Sequence, residues 1–80
     1  MHYVYILQSE TYPEKYYVGQ TDDLKSRIEK HNAGYVISTK PFSPWKIASY
    51  HAFADRRKAM DFEKYLKSGS GVAFAKKRLR

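Results

Sequence analysis

The chain has no cysteine. That excludes a disulfide framework and any zinc site built on thiolates, and it suits a reducing compartment. Acidic residues are scarce, eight against fifteen Lys and Arg. Glycine and proline number only four and three, too few for a low-complexity or collagen-like segment. No apolar run approaches the roughly 20 residues of a membrane span. The opening stretch Met1-His2-Tyr3-Val4-Tyr5-Ile6-Leu7 lacks basic residues at its start and is broken by Gln8-Ser9-Glu10, so it does not read as a signal peptide. Together these absences lead us to expect a cytoplasmic protein with no membrane segment. Residues 1–80 are read as one domain, whose core is modest because a chain this short buries only about 60–65% of its unfolded surface.

What is abundant is tyrosine and positive charge. Eight tyrosines dominate the aromatic share of 16%, and each brings apolar area with a polar hydroxyl at its tip. The net charge of +7 is unevenly placed. Residues 1–55 carry equal numbers of cations and anions, whereas residues 56–80 carry nine Lys and Arg against Asp61 and Glu63. Cations clustered this way, among them Lys64, Lys67, Lys76, Lys77 and Arg78, attract a polyanion through counterion release. A solvated helix face with a basic tail has the same composition.

Patterning predicts the order β-β-α-β-α, an α+β layer in which a small sheet carries helices. His2 to Leu7 and Tyr16 to Gly19 read as two antiparallel strands joined by a polar loop containing Pro13. Thr21-Asp22-Asp23 reads as a helix start with Thr21 as cap, Leu24 and Ile28 as the buried pair, and Asn32-Ala33-Gly34 as the stop, giving about three turns. Tyr35 to Pro44 is a loop with two prolines. Trp45 to Phe53 reads as a third strand. Asp55 can cap a second helix over Arg56 to Lys67, ended by Ser68-Gly69-Ser70-Gly71, and Val72 to Arg80 adds a short basic helix.

Five positions could carry chemistry. Strand alternation puts Tyr3, Tyr5 and Leu7 on one face, and a matching hairpin register adds Tyr17 and Gly19. Two phenols then point at one spot, with Gly19 leaving space beside them; ordinary core tyrosines fit as well. Arg27 and His31 are i, i+4 neighbours at the flank of the first helix, where a guanidinium can fork onto a phosphate and an imidazole can take or give a proton. A surface arginine beside a half-buried histidine is the plain alternative. Glu63 falls beside the apolar stripe Ala59, Phe62 and Leu66, an unusual place for a carboxylate unless it is paired, solvated or bound to a metal. No multi-ligand metal spacing occurs among His2, His31 and His51. The Ser68–Gly71 run follows a helix, so it is no phosphate loop. One carboxylate, a few donors and a basic patch suit phosphodiester chemistry with a single hard cation, or no chemistry at all.

The motifs taken together resemble the GIY-YIG nuclease superfamily, and in particular its short stand-alone bacterial members with an excinuclease-like domain. Tyr3-Val4-Tyr5 and Tyr17-Val18-Gly19 stand for the two signatures. Leu24-Lys25-Ser26-Arg27, His31-Asn32-Ala33-Gly34, Thr39, Pro44-Trp45-Lys46, Ala59, Glu63 and Leu66-Lys67-Ser68-Gly69-Ser70-Gly71 follow in order. The resemblance implies a three-stranded antiparallel sheet flanked by helices and cleavage of DNA, with RNA left open, using one divalent cation, Mg²⁺ or Mn²⁺. It implies catalytic roles for Tyr5, Tyr17, Arg27, His31 and Glu63, with Glu63 on the metal. The chain departs from the pattern at Tyr3, where the signature has Gly, and at Gln20, where repair relatives often have Lys. A tyrosine of pKa near 10 is a poor base, so Arg27 and the metal are expected to favour its phenolate. An inactive nucleic-acid-binding module and a protein-interaction domain remain as other readings, and the oligomeric state is open.

Overall fold

A computed structural model describes residues 1–80. Its elements are β1 (His2–Ser9), β2 (Tyr16–Thr21), α1 (Leu24–Asn32), a 3₁₀ turn (Lys40–Phe42), β3 (Trp45–Phe53), α2 (Arg56–Leu66) and α3 (Gly69–Arg78). The sheet is antiparallel in the order β2-β1-β3. The expected α+β layer is therefore present, with one more helix than the β-β-α-β-α order. No helix is long and apolar enough to cross a membrane.

The central position of β1 accounts for its unbroken apolar run. Val4, Tyr5, Ile6 and Leu7 are all buried, because both faces of this strand are covered. Alternation sends Val4 and Ile6 to one side, onto Ala59 and Leu66 of α2 and Ala75 of α3. Tyr5 and Leu7 go to the other side, against Trp45, Leu24 and Ile28. The sheet thus separates α1 from the α2–α3 pair. Tyr5 pairs with Gly19 and Leu7 with Tyr17, the register that puts both tyrosines on the α1 face.

Two local expectations are corrected. Helix α1 is capped by Asp23, whose carboxylate accepts from the Ser26 N–H at 3.1 Å, and not by Thr21. Thr21 still belongs to β2, and its hydroxyl accepts from the Asp23 N–H at 3.1 Å, closing the turn into the helix. The helix is correspondingly shorter, nine residues. Gly34 does take the left-handed conformation, φ 81°, after the helix end. The second correction concerns Ser68–Gly71, which ends α2 but also opens α3. The Ser68 hydroxyl accepts from the Gly71 N–H at 3.2 Å as an N-cap, and Gly69 to Gly71 form the first turn. Glycine at 71 has a packing cause: a Cβ there would overlap the Tyr65 carbonyl oxygen. The absent side chain lets α3 fold back against the end of α2.

Candidate functional site

The site is built around the Tyr5 hydroxyl. Tyr5 is buried on the central strand, and its ring lies across Gly19 of the edge strand β2. A Cβ at position 19 would overlap the phenol oxygen, so the space anticipated beside the tyrosines is there and Tyr5 fills it. From above, the last turn of α1 brings His31, whose Nε2 is 2.8 Å from the Tyr5 hydroxyl. The other ring nitrogen, Nδ1, lies 2.8 Å from Thr39 Oγ1. Thr39 donates its own hydroxyl proton to the Val36 carbonyl at 3.2 Å, an acceptor only. Nδ1–H therefore donates to Thr39, and Nε2 accepts from Tyr5. All three side chains are buried, and no buried side-chain polar atom lacks a partner.

Thr39 is the member of this chain of bonds that sequence reasoning did not assign a role. It lies in the loop between α1 and β3, eight residues from His31, and the loop is pinned from three sides. Asn32 Oδ1 accepts from the Trp45 N–H at 2.6 Å, Asn32 Nδ2 donates to the Trp45 carbonyl at 3.1 Å, and the Trp45 indole donates to the Thr39 carbonyl at 2.9 Å. Trp45 thus ties the start of β3 to the end of α1 and holds Thr39 over His31. No periodic signal in the loop points to this; only the polar residues around a buried tryptophan hint at it.

Electrostatics around Tyr5 run against one expectation. Burial first, then the neighbouring Tyr17, hold its phenol well above the usual tyrosine range. Arg27 pulls the other way and Glu63 adds to the rise. Arg27 does favour the phenolate, as expected, but burial outweighs it, and the proton stays on Tyr5 in its bond to His31. The charges of Arg27 and Glu63 are thus both felt at this hydroxyl. Arg27 forms no ion pair; Glu63 is paired with Lys67 at 3.3 Å, one turn on along α2, and not with Arg27. Tyr17 packs edge-on against His31, ring centroids 5.0 Å apart, beside Tyr5 at 6.4 Å.

No cluster of three metal-binding side chains exists. Of the expected phosphate-contacting cations, Lys67 stands beside Glu63 and Lys76 borders Tyr16 and Arg80. Lys64, Lys77 and Arg78 are exposed and line no cavity. The largest groove, walled by Tyr3, Leu24, Ile28, Ile47 and Tyr50 with three carboxylates at its rim, contains none of the Tyr5 set. The Tyr5 set is buried; a polar hollow of Thr21, Asp22, Asp23, Ser26, Arg27 and Lys30 opens on the Arg27 side of α1.

His31 is held below the usual histidine value by burial and then by Arg27, and His51 by burial. The unfolded chain binds these protons near pH 6.5, where the folded chain still refuses them, so stability must fall as pH drops through and below that value. Thermal melts are expected to give a lower Tm at about pH 5.5 than at about pH 7.5, on either side of that value. A Tm that stays flat or rises as the pH falls from about 7.5 to about 5.5 would contradict the neutral, buried His31.

The profile of the GIY-YIG catalytic domain matches residues 1–76. The chain belongs to the GIY-YIG family. Among curated proteins, the structure-specific endonuclease subunit SLX1 of Meyerozyma guilliermondii is 42% identical over 66 residues, 75% of this chain and 22% of that protein. SLX1 of Scheffersomyces stipitis is 37% identical over 67 residues, 75% of this chain and 20% of that protein. A UPF0213 protein of Clostridium perfringens is 37% identical over 68 residues, 84% of this chain and 71% of that protein. The chain therefore spans about a fifth of the length of the yeast GIY-YIG relatives and most of the clostridial one.

Proposed function

We propose that this GIY-YIG domain is an endonuclease that hydrolyses DNA phosphodiester bonds with a divalent cation, in repair or recombination. The observation that carries the reading is the buried Tyr5–His31–Thr39 hydrogen-bond chain, whose phenol feels the opposing charges of Arg27 and Glu63. A phenol whose proton already points at a neutral imidazole can accept a proton from water while passing its own to Nε2. Tyr5 acts in this way as a relay and never needs to become a free phenolate. His31, with Nδ1–H fixed by Thr39, is in the one tautomer that can receive that proton. Its lowered pKa keeps Nε2 unprotonated at neutral pH. Arg27, with no ion pair to break, neutralises charge developing on the phosphoryl oxygens. Tyr17 packs the imidazole in place.

The donor set fits a hard cation such as Mg²⁺ or Mn²⁺, which commonly takes one or two carboxylates and completes its shell with water and phosphate oxygens. Glu63 is that carboxylate. Its partner Lys67 is 54% exposed, and an ion pair so exposed is worth about 0–1 kcal/mol, a small barrier to exchange for a divalent ion. When bound, the ion supplies Lewis-acid stabilisation of the phosphate oxygens. Lys64, Lys67, Lys76, Lys77 and Arg78 serve the DNA backbone without reading bases. The similarity to the SLX1 endonuclease subunits supports the same reaction class.

The test is a panel of labelled linear, flapped and branched DNAs incubated with Mg²⁺ or Mn²⁺. Cleavage is expected with the ion, none with chelator, and about a hundredfold less with Arg27→Ala, the scale of one lost charge-stabilising donor. A protein that binds these DNAs and cuts none with either ion would overturn the proposal.

A further inference from the structure

A second cavity lies at the β2 edge on the face of the sheet that carries α2 and α3, across from the Tyr5 set, with Tyr17 reaching both. Tyr16, Tyr17 and Val18 form one wall and Val72 of α3 the other, with Lys67 and Arg80 at the rim. Its volume is about 270 Å³, just under the roughly 300 Å³ at which pockets for whole drug-sized ligands begin. The Arg80 guanidinium lies over the Tyr16 ring at 4.0 Å and walls the cavity on that side. Most of the lining is apolar, yet both charged members are cations.

We propose that this cavity holds the base of an unpaired nucleotide flanking the phosphate that is cut. The inference rests on the nuclease reading and names the substrate class for it. Apolar and aromatic walls with cations at the mouth are the surface that binds single-stranded nucleic acid, stacking the base inside and pairing the phosphate outside. A base inside a duplex cannot reach such a cavity without leaving its stack, so the occupant is a nucleotide already unpaired, as at a flap or fork. The place of the cavity decides which nucleotide. Tyr17 belongs both to this wall and to the cluster around His31, and Lys67 at the rim is the residue paired with Glu63. A base seated here, with its phosphate at the Lys67 rim, puts that phosphate next to Glu63. The larger groove between α1 and β3 is a poorer candidate for nucleic acid, because Asp22, Asp23 and Glu29 line it.

The experiment measures binding to a labelled DNA fork by fluorescence anisotropy in chelator, where no turnover occurs. Each unpaired nucleotide is replaced in turn by an abasic site. One position is expected to weaken binding by about tenfold, the scale of one base stack, while abasic sites elsewhere have little effect. Val72→Phe, which fills the cavity from an exposed position on α3, should weaken the intact fork by about the same tenfold and make it insensitive to the abasic scan. Its affinity for blunt duplex should match the original protein. If every abasic fork binds like the intact one, the cavity takes no base and the proposal fails. It also fails if Val72→Phe loses fork and duplex binding equally while keeping its Tm. Should Val72→Phe fail to fold, the abasic scan on the unmodified protein still decides. A protein that shows the abasic effect and never cuts would overturn the nuclease reading alone.

Discussion

Glu63→Gln is expected to lower metal-dependent cleavage by about a thousandfold or more while the protein stays folded. The side chain keeps its size and loses its charge. No group of three carboxylate, histidine or cysteine side chains is there to share the load, so in this reading the ion hangs on the single carboxylate of Glu63. Charge stabilisation by a bound metal is worth several kcal/mol in a phosphoryl transfer, and about 4 kcal/mol corresponds to a thousandfold in rate. The structural cost is small by comparison. Glu63 is about a quarter exposed and its one ion pair, with Lys67, is more exposed still, so the pair contributes at most about 1 kcal/mol. The measurement is single-turnover cleavage across a Mg²⁺ titration, with circular dichroism as a fold control. Removing the carboxylate should also free Lys67, so DNA binding in chelator should hold or tighten. A Glu63→Gln protein that cuts at the original rate would place the metal elsewhere or dispense with it.

This asymmetry between a large catalytic effect and a small structural one bears on what was legible in the sequence. Glu63 stood out because a carboxylate beside Ala59, Phe62 and Leu66 needs a reason, and the helical period alone exposes such a conflict. Tyr5, Tyr17 and Gly19 were legible for a similar reason: strand alternation and one hairpin register put them on a common face, and the register came out as required. Arg27 and His31 followed from helical spacing. Thr39 and Trp45 had no such signal. They sit in and after a loop whose conformation depends on hydrogen bonds across the fold, from Asn32 to the Trp45 backbone and from the Trp45 indole to Thr39. The direction of the Tyr5 shift was hidden too, since it depends on how deeply the ring is buried. The Ser68–Gly71 run misled because glycine and serine read as a breaker, and only the close approach of α3 to the Tyr65 carbonyl makes Gly71 fit inside a helix.

Gly19→Ala is the second large effect, expected to cost at least a hundredfold in cleavage without touching any residue that bears charge. The added methyl would occupy the space now held by the Tyr5 hydroxyl and the ring carbon that carries it. Neither side can give cheaply. Gly19 is paired in the edge strand opposite Tyr5 itself, and the Tyr5 ring is only 1% exposed, held by His31 at its tip. Overpacking of this kind costs about 1–3 kcal/mol of stability, which a small domain of about 4–12 kcal/mol total survives. What it does not survive is the geometry: displacing the phenol by even about 1 Å breaks the 2.8 Å bond to Nε2 and separates the proton from its acceptor, and misplacements of that size cost about a hundredfold. A readout independent of turnover distinguishes this from simple loss of fold. With Tyr5 displaced, His31 becomes more open to water, so its imidazole pKa, followed by NMR, should rise toward the ordinary value near 6.5. A Gly19→Ala protein with unchanged cleavage and an unchanged His31 titration would show that the Tyr5–His31 contact is structural only.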